Sequence, residues 1–203
     1  MGGTSSIIDS NEEIPTSAVL YAKFDEVKRI TDGLNQDKMD KVNPTGTGYF
    51  SLNRDTDHIP GANSVATGYY TIASGARSHA EGYRTVASGN DTHAEGESTT
   101  ASGNNSHAEG ELTTSSGRNS HAEGSGTTAS GNQSHAEGHS TTASGSNSHA
   151  EGSSATASGY CSHAEGYYTT ASMDYAHAEG RSTTASGHSS HAEGYHTIAN
   201  HRT

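Results

Sequence analysis

The sequence predicts an all-β fold, a parallel β-roll or solenoid in which each 14-residue unit of the chain forms one coil. Three observations predict it. Residues 61–200 hold about ten tandem copies of one unit, with His79, His93, His107, His121, His135, His149, His163, His177 and His191 recurring every 14 residues. Leu, Ile, Val and Phe make up under a tenth of the 203 residues and Trp is absent, so no bulky apolar core can close. Gly, Ser, Thr, Ala and Asn dominate, a composition that reads as disordered unless strict periodicity lets successive coils satisfy one another's backbone.

The unit beginning at Gly96 reads Gly-Glu-Ser-Thr-Thr-Ala-Ser-Gly-Asn-Asn-Ser-His-Ala-Glu. It holds two strand-like stretches, Thr99–Ser102 and Ser106–Glu109, bounded by Gly and polar turn residues. A helix is excluded, because two glycines and several small polar residues in every unit would cost it several kcal/mol. With rungs about 4.8 Å apart, ten of them make a rod of roughly 50 Å.

Strand side chains alternate, so Ser106 and Ala108 share one face while His107 and Glu109 share the other. A two-strand coil this thin has room inside only for Thr99, Ala101, Ser106, Ala108 and their equivalents, with Ala155 replacing Thr in one rung. His and Glu therefore point out of the roll. The outward column begins at Val65. It continues through His79 and Glu81, His93 and Glu95, His107 and Glu109, His121 and Glu123, and His135 and Glu137. His149 and Glu151, His163 and Glu165, His177 and Glu179, and His191 and Glu193 complete it. Pairs after each Gly, such as Tyr83-Arg84, Glu111-Leu112 and Tyr167-Tyr168, vary freely as exposed turns do, whereas His and Glu never vary over nine rungs. Such a column is expected to be held against something, most simply the same column of other subunits. Each His would donate to a Glu of a neighbouring chain or rung, keeping the ladder close to neutral.

Ahead of the repeats, residues 1–16 read as a flexible or docking tail. Residues 17–42 read as a helix with Leu20, Phe24, Val27, Ile30 and Leu34 along one face. It has too little apolar surface to stand alone and is expected to pack against copies of itself as a coiled coil; the alternative is that it lies on its own β-domain. Pro44, Gly46 and Gly48 end it, and residues 43–60 form a transition in which Tyr49 to Leu52 is a candidate strand. The β-roll repeats occupy 61–203.

A net charge of −12 argues against nucleic acid and anionic membrane surfaces as partners. There is no run of about 18 apolar residues and no secretory signal at the N-terminus, so the chain is expected to be soluble and made in the cytoplasm. Cys161 is the only cysteine. Ser78, His79 and Glu81 are the residue types of a hydrolytic triad, but Ser and His fall on opposite faces and the pattern repeats nine times, so no enzyme is expected. His-x-Glu places its two residues about 7 Å apart at the backbone, wide for a zinc site. Three His meeting on a threefold axis would offer metal ligands, but the hydrogen-bonded ladder is preferred and no cofactor is expected. Thr100 and Ser102, with Ile72 and Val86 at equivalent places, form a second flat array whose Thr-Ser pattern departs from the paired threonines of ice-binding surfaces. Tyr69, Tyr70, Tyr83, Tyr160, Tyr167, Tyr168, Tyr175 and Tyr195 offer aromatic patches for glycan or receptor contact, or cover neighbouring rungs.

Asn63-Ser64-Val65-Ala66-Thr67-Gly68 resembles the Asn-Ser-Val-Ala-Ile-Gly motif of YadA-like trimeric adhesin heads, and the spacing Gly-x-x-Thr-x-Ala-x-Gly-x-x-Ser-x-Ala-x is similar to that family's repeat over about 140 residues. The resemblance implies a left-handed parallel β-roll and a homotrimer whose His107 and Glu109 positions face neighbouring subunits. The family's apolar Val and Ile are here His and Glu, which implies a polar trimer core. The Ser-His-Ala-Glu-Gly variant, with Glu13 to Val19 before the helix and Asp40 to Gly48 after it, resembles tail-fibre and baseplate-associated proteins of phages and prophages of Gram-positive hosts. That implies a virion shaft or receptor-binding segment docked to tail or baseplate proteins through its N-terminus. A cell-surface glycan or protein would be the receptor. The alternatives are a bacterial surface adhesin head, which would carry a signal peptide and a membrane anchor, and part of a tail spike with a catalytic domain elsewhere.

Overall fold

The computed structural model describes residues 50–52 and 59–200. The expected tail 1–16, the expected helix 17–42 with Leu20, Phe24, Val27, Ile30 and Leu34, and most of the expected 43–60 transition lie outside the described residues. Each repeat forms a five-residue strand, a turn, a two-residue strand and a second turn, as in His107–Glu111 followed by Thr114–Ser115. The long strands build an eleven-stranded parallel sheet and the short ones a ten-stranded parallel sheet. Phe50–Leu52 pairs with Val65–Thr67, so the candidate strand of the transition is the first of the long sheet.

Register follows the repeat without slippage. His121 pairs with His107 and His135, Ala122 with Ala108 and Ala136, and Glu123 with Glu109 and Glu137. Because strand side chains alternate, a one-residue slip would turn every alanine outward and every imidazole into the roll. The interior is filled as expected: Thr99, Ala101 and Ala108 are fully buried and Ser106 nearly so. Most interior Ser hydroxyls donate to the Gly carbonyl three residues earlier, as Ser120 does to Gly117 and Ser134 to Gly131, each at 2.7 Å. The Thr column behaves differently. Its hydroxyls, from Thr71 to Thr183, are buried without a partner. Leaving such a group unpaired costs about 1–3 kcal/mol. Ala155 fills this column in one rung while the adjoining short strand Thr156–Ala157 keeps its pairing, so the fold does not need the hydroxyl.

The strand limits differ from the expected ones. The long strand starts at His107 rather than Ser106 and continues through Gly110 to Glu111, so this Gly lies inside the strand. Its φ is 105°, and a Cβ there would lie 2.1 Å from the Gly124 carbonyl oxygen of the next rung. The absence of a side chain lets consecutive rungs approach. The short strand contracts to Thr100–Ala101. Of each variable pair after Gly, only the second residue is a turn residue, and it is left-handed: Leu112 has φ 55°. Its N–H donates to the Glu97 carbonyl of the rung before at 2.9 Å. The other turn repeats the device at Asn105, with φ 56° and an N–H bonded to the Asn90 carbonyl.

Candidate functional site: the outward His/Glu ladder

Ala108 is buried, so the alternation of its strand turns His107 and Glu109 outward. Fourteen-residue register then aligns every equivalent pair into two columns on the long-strand sheet. From His79 to His177 each imidazole keeps 35–40% of its side chain exposed and each partner Glu 32–44%. Val65 heads the His column and is also half-buried. The imidazoles stack rung upon rung with centroids 4.7–4.9 Å apart.

The tips of the paired side chains lean together. Nε2 of each His lies 3.4–3.8 Å from Oε2 of the Glu two residues on in the same rung. Within one chain the nearest Glu is therefore that of the same rung rather than that of a neighbouring rung. The 4.8 Å rung spacing is taken up by ring stacking, and the two outward positions of one strand are the nearer neighbours. These contacts are too long or too poorly aligned for hydrogen bonds. Nε2 of His93, His107, His121, His135, His149, His163 and His177 is buried in the stack without a hydrogen-bond partner.

Burial, with the neighbouring imidazoles adding to it, pushes His93, His107, His121 and His177 below the ordinary imidazole value. Two neighbouring Glu residues are pushed in opposite directions. Burial and hydrogen bonds with Glu109 and Glu81 push Glu95 up, whereas a hydrogen bond with Glu123 is the main cause that holds Glu109 down.

Donor atoms of His121, Glu123 and His135 lie within 4.8 Å of one another, and the same holds for His163, Glu165 and His177 and for Glu95, His107 and Glu109. Beside the Glu column the glycines leave a shallow groove, lined by Glu81, Glu95, Gly82, Gly96 and Gly110 among others. The triad residue types do not meet: the buried Ser78 hydroxyl donates to the Gly75 carbonyl at 2.7 Å, inside the roll, while His79 is outside.

The short-strand sheet presents its own outward rows, with Thr100 half-buried and Ser102 exposed. The tyrosines gather at the roll's edges. Tyr69 and Tyr83 stack at 5.8 Å, and the Arg181 guanidinium lies 5.5 Å from the Tyr167 ring and 5.6 Å from the Tyr195 ring. Sequence reasoning did not foresee this Tyr-Arg-Tyr stack, although residues 14 apart flank one another in every rung and the spacing of 167, 181 and 195 carries the signal.

A parallel roll of near-identical coils, filled by small side chains and faced by an unbroken polar column, defines a repetitive β-solenoid protein. The YadA head domain repeat matches residues 61–78, 80–106, 94–120, 108–134, 122–148, 136–160 and 178–200. These segments span more than half of the chain, which belongs to the YadA head repeat family. No curated protein matches the chain.

Proposed function

We propose that this chain is a non-enzymatic attachment element that works as a homotrimer, its β-roll a stiff shaft and its His/Glu column turned toward the neighbouring subunits. One observation carries the reading. The column is unvarying over nine rungs, and its imidazole Nε2 atoms are already buried without partners in a single chain. Facing columns would supply those partners and remove the remaining exposed area. Membership of the head repeat family supports the same assembly.

The setting we favour is the tail fibre or baseplate region of a phage or phage-tail-like particle. The resemblance of Glu13 to Val19 and Asp40 to Gly48 to tail-associated proteins supports it. The N-terminal part would dock to the particle and the roll would hold or present a receptor-binding surface toward a cell-surface glycan or protein. The second reading, a bacterial surface adhesin head, rests on the family match itself.

Site-directed cross-linking tests the orientation of the roll. With Cys161 replaced by Ser, His121→Cys places a thiol on the ladder and Thr128→Cys places one on the opposite sheet. A short thiol-reactive cross-linker should join His121→Cys chains covalently and leave Thr128→Cys chains single on a denaturing gel. The reverse pattern would show that the ladder faces solvent.

A further inference from the structure

We propose that the ladder binds late transition-metal divalent cations of the zinc type, each held by the His and Glu of one rung and the His of the next. The first argument is spacing. A tetrahedral ion with nitrogen and oxygen ligands at about 2.0–2.1 Å sets its donor atoms roughly 3.3 Å apart. Nε2 and Oε2 of each rung stand 3.4–3.8 Å apart, too far for a good hydrogen bond and close to one edge of that tetrahedron. The backbone separation that made the pair look too wide in sequence is closed by the inward lean of the two side chains. The third donor is also near: a ring nitrogen of His135 joins donor atoms of His121 and Glu123 in a group that lies within 4.8 Å of one another. Binding requires a side-chain rotation that closes that gap.

The second argument is the state of the donors. The buried Nε2 atoms have no hydrogen bond to lose when an ion arrives. The carboxylates beside them carry like charge along the whole column, and a cation relieves that repulsion. Imidazole with carboxylate suits zinc, nickel and copper, whereas magnesium and calcium prefer all-oxygen shells. Each site uses two rungs, so nine rungs hold about four ions per chain on alternate steps. The sites are complete enough within one chain to form without the trimer, with water or a neighbouring subunit filling the remaining position.

The test uses the full chain without an affinity tag, carrying Cys161→Ser, stripped of metal and titrated with zinc in a calorimeter. Metal content is then counted after gel filtration. The expected result is about four zinc ions per chain, retained against excess magnesium and calcium. Replacing Glu95, Glu109, Glu123 and Glu137 by Gln should remove about half of them, and replacing His139 and His188, which lie off the ladder, should remove none. Fewer than one ion per chain, uptake unchanged in the Gln variant, or uptake lost with His139 and His188 would overturn the proposal. Should the Gln variant fail to fold, cobalt(II) absorption of the Cys161→Ser chain decides: an intense tetrahedral band supports the site and a weak octahedral one overturns it. A chain that binds zinc as a monomer keeps this inference and loses the trimer, and a trimer without zinc does the opposite.

Discussion

At Gly110 a methyl group would have to occupy the space of the Gly124 carbonyl oxygen, 2.1 Å away, on a backbone whose φ of 105° already excludes most side chains. Strain and overpacking each cost about 1–3 kcal/mol. Gly110→Ala should therefore destabilise the roll by about 2–6 kcal/mol. Gly126 is the control. Its φ is 67°, the nearest atom to an added Cβ is 3.6 Å away, and neighbouring rungs carry Leu112 and Ser140 in the same place. Gly126→Ala should cost only the left-handed backbone term of about 1–2 kcal/mol, and thermal melts of the two variants side by side will separate the cases. The left-handed turn residues were the least legible feature of the sequence. Asn105 fits such a backbone by type, but Leu112 and Tyr168 do not, and only the bond from each N–H to the previous rung explains them.

Along one rung, the repeat made the interior legible because Thr, Ala, Ser and Ala are the only side chains small enough for the coil, and all four are buried. Alternation likewise placed His and Glu outside. The strand ends were less legible, since Gly110 reads as a breaker in sequence yet continues the long strand by close approach to Gly124. The tilt that brings His and Glu of one rung together depends on side-chain torsions that no spacing encodes.

The stacked column also sets a pH dependence. His93, His107, His121 and His177 are depressed below 6.5 in the fold. Above that value both folded and unfolded imidazoles are neutral and the ladder is intact. As pH falls through it the unfolded chain takes up protons first, and stability drops until the folded imidazoles titrate as well. The Glu partners in the same and adjoining rungs moderate the effect without setting its sign, because Glu95 is raised and Glu109 lowered. Metal-free protein should melt at lower temperature at pH 5 than at pH 7.5, and His107→Gln with His121→Gln should flatten that slope. An unchanged melting temperature across this range in the parent chain would contradict the arrangement.

Over the whole molecule, small side chains give each rung little apolar area, so the roll's stability rests on neighbour-to-neighbour stacking and on whatever covers its outward faces. The proposed trimer, three rolls packed ladder inward, would set the unpartnered imidazole Nε2 atoms against facing columns, where the carboxylates must be paired or protonated to offset their desolvation. The chain mass is 20.9 kDa. Light scattering of the full chain on elution from a sizing column, at neutral pH, tests this most directly. A single species of three times the chain mass is expected, and a stable species at the mass of one chain would overturn the trimer.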